Sequence, residues 1–360
     1  MLHADVHRAR RERARTSLDG VADGLLVMDA SDLRYLTGFS GSNGALFLSS
    51  TRADADVLST DGRYVEQAAI ECPDLGVLVA RDCVTAVCEQ ALAQGGGSIA
   101  LDDRASLAAL GAAERTSITV VRVTSPVAAL RMAKDSGEIA ALERACAITS
   151  QAVDALAGGI RPGDTEIGIA RRLEQLFGEL GAEDRAFATI VASGPNSAMP
   201  HHRPGSRALI PGDLLVIDSG ARVDGYHADM TRTFVVGEPE PWQLELHELV
   251  AEAARAGRAA VRPGLALADL DAAARGVIEA AGHGGHFGHG LGHGTGLDIH
   301  EAPMIGPRAV GRLAAETTIT VEPGVYLPGR GGVRIEDSLV VMADGHRSLT
   351  TSPRDLRVVG

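Results

Sequence analysis

The chain has 360 residues, 45% of them hydrophobic and 22% charged, an ordinary globular composition long enough for two domains or for one large α/β domain. Its 34 lysine and arginine residues against 47 acidic ones give a formal net charge of −13, which argues against nonspecific binding to nucleic acid or anionic membranes. No apolar run of about 18 residues predicts a transmembrane helix, and the polar start lacks the apolar core of a signal peptide.

The cysteines and the single lysine exclude further chemistries. The cysteines form neither a Cys-x-x-Cys pair nor a zinc ribbon, so a reduced, cytoplasmic location is the simplest interpretation for Cys72, Cys83, Cys88 and Cys146. The only lysine, Lys134, does not follow a glycine, which excludes a P-loop. A pyridoxal enzyme would have to use Lys134, and because its charged segment is expected to be exposed, this class is excluded as well.

Residues 20–130 have the pattern of a small α/β domain. Glycine, serine and aspartate separate short apolar runs, and a turn at 61–64 opens a predicted helix through Ala69. Strands are expected at 25–28, 45–48, 98–101 and 118–121.

The polar segment 131–137 is expected to connect this domain to a second one. After it, apolar residues recur at steps of three, four and seven, which predicts a long helix. These residues are Ile139, Leu142, Cys146, Val153, Leu156 and Ile160. The boundary is therefore placed near residue 130, with domains at 1–130 and 131–360.

The second domain contains a faint internal repeat. The Arg-Pro-Gly tripeptides at 161–163 and 262–264 each lie between two predicted helices, and each unit leads on to histidines. Duplication would give a pseudo-two-fold domain with its site between the halves, whereas chance similarity of so short a repeat is the open alternative.

A hairpin would bring two aspartates together. A strand predicted to be buried ends at Asp218, where a functional carboxylate is favoured because an unpaired buried charge is costly. If Asp224 and Gly225 form a two-residue loop, Asp218 lies opposite Thr231, and Asp229 is its diagonal neighbour on the same face. A three-residue loop would put the two aspartates on opposite faces.

Nine of the twelve histidines lie between residues 201 and 300, and two of these lie in the glycine-rich segment 287–296. His289 and His293 have the spacing of a helical zinc motif, but five glycines in residues 288–296 argue against a helix. No dinucleotide-binding GxGxxG pattern is present. An extended chain would place both histidines on one face, and His300 follows next to Glu301. Each histidine alone is more simply explained as hydrogen-bonded or exposed; their clustering favours a site.

Two further predicted strands carry carboxylates. Alternation over 318–322 places Glu322 on its polar face, and in the strand 333–337 Arg334 and Glu336 share a face. Many carboxylates with one imidazole suit a pair of divalent ions such as Mn²⁺, Co²⁺ or Zn²⁺, and they favour hydrolysis by a metal-bridging hydroxide. The candidate set is Asp218, Asp229, His293, Glu322 and Glu336.

The sequence resembles the Xaa-Pro peptidases, prolidase and aminopeptidase P, among the pita-bread metallopeptidases. The matching strings include Asp-Ser-Gly at 218–220, His-Gly-Thr-Gly at 293–296, His-Glu-Ala-Pro at 300–303, Glu-Pro-Gly at 322–324, Arg-Ile-Glu-Asp at 334–337 and, in the first domain, Tyr-Leu-Thr-Gly-Phe at 35–39. The resemblance implies an α/β two-domain protein, with a small N-terminal α/β domain and a C-terminal pita-bread, pseudo-two-fold α+β catalytic domain. It also implies a homodimer.

The resemblance assigns roles to the metal ligands. It makes Asp218 a ligand of one metal and His293 a ligand of the other, with Asp229 and Glu336 bridging the two. Glu322 would bind the second metal and act as general base for the attacking water. Two divalent ions per chain are implied, with manganese favoured.

Further pocket residues are implied in the same way. His201 would help to stabilise the tetrahedral intermediate, and His300 would lie near the substrate carbonyl or the leaving imide. His289 and Arg334 match substrate-pocket positions. His202 departs from the family pattern, which usually has glycine or tyrosine there, so the catalytic member of the pair stays open, with His201 preferred.

The predicted activity is hydrolysis of the Xaa-Pro bond at the N-terminus of dipeptides or short peptides, so short proline-containing peptides are the expected partners. One alternative is a metallohydrolase of the same fold with another specificity, such as a methionine aminopeptidase; those enzymes lack the first domain and the Arg-Ile-Glu-Asp string. The other is a noncatalytic binding protein, which the complete set of ligand types disfavours.

Overall fold

The structure, a computed structural model, describes residues 4–360. The chain divides into two compact units, Met1–Arg131 and Met132–Gly360, which are described separately. Among the described residues, no helix combines the length and apolar character needed to cross a bilayer.

The first unit contains a mixed six-stranded sheet. Its strands are β1 (Gly24–Val27), β2 (Gly44–Ser49), β3 (Val57–Thr60), β4 (Gly76–Val79), β5 (Ser98–Asp102) and β6 (Thr119–Val123). Its helices are α1 (Ala4–Thr16), α2 (Ala30–Thr37), α3 (Val65–Glu71), α4 (Cys83–Ala93), α5 (Leu107–Glu114) and α6 (Pro126–Arg131). The strand order is β4-β3-β2-β1-β5-β6. The four strands and the helix after residue 64 that the sequence predicts are confirmed.

The second unit contains four long helices and two main sheets. The helices are α7 (Ser136–Ala157), α8 (Glu166–Glu179), α9 (Pro241–Ala260) and α10 (Leu267–Ala280). The strands are β7 (Asp184–Arg185), β8 (Ile190–Ser193), β9 (Leu214–Ser219), β10 (Ala221–Val223), β11 (Tyr226–His227), β12 (Met230–Val236), β13 (Gly292–Gly294), β14 (Glu301–Ile305), β15 (Thr318–Val321), β16 (Gly324–Leu327), β17 (Gly331–Arg334), β18 (Asp337–Met342), β19 (Gly345–Ser348) and β20 (Arg357–Val359). The main sheets have the orders β20-β12-β9-β8 and β14-β13-β15-β18-β19.

The predicted long helix is confirmed as α7. A capping box stabilises its start. The Asp135 side chain accepts from the Glu138 amide, and the Glu138 side chain accepts from the Asp135 amide. The helix ends at Ala157, before the last apolar residue of the pattern, Ile160, which is nevertheless buried.

The two Arg-Pro-Gly turns have the same local structure. Gly163 and Gly264 both have a left-handed backbone, with φ of 89° and 82°, a conformation that glycine adopts without strain. The amide of Gly163 donates to Leu209 O and that of Gly264 to Leu313 O, each at 2.8 Å. Each turn thus joins two helices and binds the same kind of returning segment, as the predicted pseudo-two-fold organisation requires.

Strand β9 separates a helix-covered face from the face of the site. Leu215 and Ile217 belong to the hydrophobic cluster that α7 and α8 form with this sheet. Because side chains alternate along a strand, Leu214 and Asp218 lie on the opposite face, and Leu214 belongs to the other cluster, which contains residues of α9 and α10. Asp218 therefore lies on the face of β9 that is opposite to α7 and α8.

The expected exposure of Lys134 is wrong. Its side chain is only 1% exposed, and its ammonium forms an ion pair with the Glu301 carboxylate. Its backbone amide also donates to Glu316 O at 2.9 Å. The cation of this charged segment is buried because an acidic partner far along the chain compensates its charge.

The single strand predicted over 333–337 is also wrong. Strand β17 ends at Arg334, and β18 begins at Asp337 in a different sheet. Ile335 and Glu336 form the link between them. The apolar and polar alternation continues through this link, so the sequence pattern does not reveal the change of sheet.

Candidate metal centre

One pocket in the second unit, of about 500 Å³, is lined by every site residue that the sequence singled out. These are His201, Asp218, Asp229, His289, His293, His300, Glu322, Arg334 and Glu336. Within the described residues, the one tight group of potential metal ligands is Asp229, His293 and Glu336, whose ligand atoms lie within 4.8 Å of one another.

A tight hairpin brings the two aspartates together. Val223 pairs with Tyr226, so Asp224 and Gly225 form a two-residue loop. Both loop residues have positive φ, 49° and 78°, as a type I′ turn requires. Further along, Asp218 pairs with Thr231. The two-residue alternative is therefore confirmed.

His293 presents a lone pair to the carboxylates. Its Nδ1 lies 3.0 Å from Gly294 O, and because a carbonyl only accepts, Nδ1 carries the hydrogen. Its Nε2 lies 3.5 Å from Asp229 Oδ2 and 3.4 Å from Glu322 Oε1. Burial lowers the pKa of His293 to about 4, which keeps the ring neutral near pH 7. A neutral imidazole with this tautomer is the form that binds a metal.

The four carboxylates carry more negative charge than the pocket compensates. Burial, followed by the neighbouring carboxylates, raises the pKa of Asp229 and of Glu336 well above its ordinary value. Burial likewise raises the pKa of Glu322 to about 8. Arg334 donates to Asp218 Oδ2 at 2.7 Å and offsets one charge.

Two buried oxygens confirm that this donor set suits cations. Asp218 Oδ1 and Glu336 Oε1 have no hydrogen-bond partner among the described residues. A buried carboxylate oxygen is costly without a partner, and oxygen ligands with one imidazole suit divalent ions of the Mn²⁺ to Zn²⁺ range. The residues present therefore fit bound divalent metal.

Two residues without a role in the sequence interpretation support the candidate ligands. Thr231 Oγ1 donates to Glu336 Oε2 at 2.6 Å and accepts from Arg334 Nε at 3.0 Å. Tyr326 Oη accepts from Arg334 Nη1 at 2.9 Å and lies 2.9 Å from His289 Nε2. The sequence signal for Thr231 is its hairpin position opposite Asp218, whereas Tyr326 has no signal of its own and lies two residues after the Glu-Pro-Gly string at 322–324.

The histidines occupy distinct places. His300 packs edge-on against His293, with 4.4 Å between ring centroids. His289 directs Nδ1 to Gly290 O at 2.8 Å, which leaves its Nε2 to accept from the Tyr326 hydroxyl. Of the adjacent pair, His201 lines the pocket, whereas the side chain of His202 contacts a buried glutamate outside it.

Comparisons with known proteins cover both units. The model of metallopeptidase family M24 matches residues 140–343, and that of the creatinase/prolidase N-terminal domain matches residues 10–133. An Xaa-Pro dipeptidase from Pyrococcus furiosus is 43% identical over 227 residues, which cover 63% of this chain and 65% of that relative.

Two solved structures are similar over nearly their whole length. The Xaa-Pro dipeptidase from Bacillus anthracis is 34% identical, with a TM-score of 0.94 over 98% of this chain and 100% of that one. The X-Pro aminopeptidase from Thermotoga maritima is 35% identical, with a TM-score of 0.90 over 97% and 99% of the two chains. This chain is therefore a peptidase of metallopeptidase family M24, and within it belongs to the prolidase and aminopeptidase P family.

Proposed function

We propose that this protein is a two-metal peptidase that cleaves the Xaa-Pro bond at the N-terminus of dipeptides or short peptides. The observation that carries the proposal is one pocket that gathers four carboxylates with His293, whose Nε2 faces Asp229 and Glu322, and that also holds His201 and His300. The named relatives include both an Xaa-Pro dipeptidase and an X-Pro aminopeptidase. They therefore support cleavage of an Xaa-Pro bond but do not distinguish dipeptides from longer peptides as substrates.

The ligand roles follow the order of the motifs. Asp218 would hold one ion, His293 and Glu322 the other, and Asp229 and Glu336 would contact both. Bound divalent ions supply an activated water at neutral pH and polarise the substrate carbonyl. An oxygen-rich set with a single imidazole favours Mn²⁺, with Co²⁺ and Zn²⁺ as the other candidates.

Side chains of the protein would transfer the protons and stabilise the negative charge that develops during the reaction. Glu322 would take the proton of the attacking water. His201 would donate to the carbonyl oxygen as it gains charge, and His300 would donate a hydrogen bond to the departing proline nitrogen, which would receive the proton that Glu322 took from the water. Burial lowers the pKa of His300, so its ring is neutral near pH 7 and offers an N–H rather than a full charge.

Substrate recognition would use both polar and apolar walls. The Arg334 guanidinium donates to Thr231, Pro200, Tyr326 and Asp218. One of its five N–H groups remains for a substrate carbonyl or carboxylate. The apolar lining offers a surface for the prolyl ring and includes Phe187, Ile190, Pro200, Ile299 and Met304. His289, which is hydrogen-bonded to the Tyr326 hydroxyl, would form another part of the wall of this pocket.

The test combines metal analysis with a substrate panel. Purified protein should contain about two divalent ions per chain, and Asp229→Ala should abolish both the second ion and the activity. The kcat/KM for Ala-Pro and Ala-Pro-Ala should exceed that for Ala-Ala, Ala-Ala-Ala and Met-Ala-Ala. A preference for the alanine or methionine peptides would refute the Xaa-Pro assignment, and full activity after complete metal removal would refute the metal mechanism.

A homodimer and a cytoplasmic location remain predictions. The four cysteines are free and buried, which is compatible with a reducing compartment. Analytical ultracentrifugation of the metal-loaded protein measures the first, and fractionation of the producing cells the second.

A further inference from the structure

The loop that carries His201 is fixed at both ends by one buried carboxylate, that of Glu166. This residue lies in the first turn of α8, and its side chain is 0% exposed. Its Oε1 accepts from the Ser193 amide at 2.9 Å, the Ser193 hydroxyl at 2.7 Å and the Asn196 side-chain amide at 2.9 Å. Its Oε2 lies 2.8 Å from His202 Nε2 and accepts from the Gly205 amide at 3.2 Å.

The hydrogen bonds match the charge of this carboxylate. Because a carboxylate only accepts, His202 donates from Nε2. Burial alone raises the pKa of Glu166, but the bonds from Asn196, His202 and Ser193 outweigh it and lower that pKa below its ordinary value. The anion is therefore the stable form, and it holds residues on both sides of His201.

The other side of the loop is fixed to the strand that carries Arg334. Ser197 Oγ accepts from the Gly332 amide at 2.8 Å, and Pro200 O accepts from Arg334 Nη1 at 3.3 Å. His201 directly follows the second attachment, at Pro200, and lines the pocket. The next side chain, His202, points to Glu166 instead.

We infer that His202 and Glu166 are positioning residues that hold the His201 imidazole at the pocket wall; the inference rests on the function proposed above. His202 does not line the pocket and contacts no candidate ligand among the described residues. Its donor is directed at a carboxylate that no solvent reaches. The departure of residue 202 from the family pattern thus has a structural purpose in this chain, which is to complete the set of donors around Glu166.

The test uses metal-loaded enzyme and the His202→Leu and His202→Gln variants, because glutamine keeps a donor near the position of Nε2. His202→Leu should lower kcat for Ala-Pro about 10-fold to 100-fold, as expected for a displaced catalytic group. Its KM and metal content should stay unchanged, and His202→Gln should recover most of the rate. His346→Leu, which changes a histidine outside the pocket, is the matched control.

Further variants separate the possible outcomes. The double variant Glu166→Gln/His202→Leu should be no slower than the slower single variant, because both changes act through the contact between His202 and Glu166. If His202→Leu does not fold, His202→Gly takes its place. An unchanged kcat, equal losses in the leucine and glutamine variants, or loss of metal together with rate would overturn the inference. Wild-type Xaa-Pro hydrolysis and the rate of His201→Ala test the proposed function independently of residue 202.

Discussion

Thr231 donates a hydrogen bond of 2.6 Å to Glu336, 105 residues further along the chain. The same hydroxyl oxygen accepts from Arg334 Nε at 3.0 Å. One buried side chain therefore orients a carboxylate of the ligand group and also the guanidinium that pairs with Asp218. Side chains that hydrogen-bond metal ligands are often nearly as important for metal affinity as the ligands themselves. A substitution of Thr231 therefore tests the candidate centre directly.

Thr231→Val should weaken metal binding about 10-fold to 100-fold while keeping the side-chain shape. Leaving Arg334 Nε without this acceptor should also reduce the free energy of unfolding by about 1–3 kcal/mol. Metal affinity is measured by competition with a chelator, and stability by urea unfolding. Thr149→Val is the matched control, since this buried hydroxyl binds the Ala145 carbonyl and the Ala221 amide away from the pocket. Equal metal affinities in the two variants would contradict the assigned role of Thr231.

Metal-stripped protein should lose stability as the pH rises from about 7.5 to about 8.5. Glu322 has a pKa of about 8 in the folded protein against an ordinary value of 4.5, so in this range the folded state holds a proton that the unfolded chain has released. Histidines whose pKa burial lowers, among them His289 and His293 at about 4, contribute with the opposite sign. Their contributions are nearly complete above about pH 7.5, because an unfolded histidine with a pKa of about 6.5 has then lost its proton.

Differential scanning fluorimetry measures this effect as a falling Tm. Glu322→Gln should flatten the pH dependence, because the amide does not titrate, and added Mn²⁺ should remove the fall in the wild-type protein. A Tm that stays constant or rises between about pH 7.5 and about pH 8.5 in the metal-stripped wild type would contradict the raised pKa of Glu322.

His201→Ala and His300→Ala should lower kcat far more than they lower metal content. Both groups are assigned to charge that develops only in the transition state, and removing one such donor typically costs about 10²–10³-fold in kcat. Steady-state kinetics and metal analysis of the same samples provide the comparison. A variant that loses its metals and regains full rate when they are restored would identify its histidine as a ligand or a packing residue.

Lys134→Met should reduce the free energy of unfolding by about 3–5 kcal/mol, because it leaves the Glu301 carboxylate buried without its ammonium partner. The double variant Lys134→Met/Glu301→Gln should recover part of this loss. Arg185→Met provides a control, because it breaks an ion pair between the side chains of Arg185 and Glu174, which are 45% and 27% exposed. An exposed pair of this kind contributes about 0–1 kcal/mol to the free energy of unfolding. Urea unfolding compares the variants, and equal losses at the buried and the exposed pair would refute this prediction.

Local chemistry made much of the centre predictable. The Asp224–Gly225 dipeptide specifies a two-residue turn, and strand alternation then places Asp218 opposite Thr231, as the register shows. Five glycines correctly ruled out a helix around His293, which lies in β13. In these cases, backbone geometry alone fixes where the side chains lie.

Long-range partners account for what the sequence did not reveal. The burial of Lys134 depends on Glu301, 167 residues away, and no local pattern encodes that pair. The separation of Arg334 from Asp337 into two sheets depends on which strands pair with each, again a nonlocal property. The role of His202 was undecidable for the same reason, since its acceptor Glu166 precedes it by 36 residues.

The burial of the only lysine makes the folded second unit almost inert to amine-directed reagents. Lys134 is 1% exposed, so acylating probes reach its nitrogen only when the contact with Glu301 opens. Its labelling rate therefore reports the frequency of that local opening, at a single position and without an engineered tag. Mass spectrometry can follow the labelling of this peptide over time with and without Mn²⁺. The two labelling rates then show whether Mn²⁺ makes local opening of the segment beside His300 less frequent.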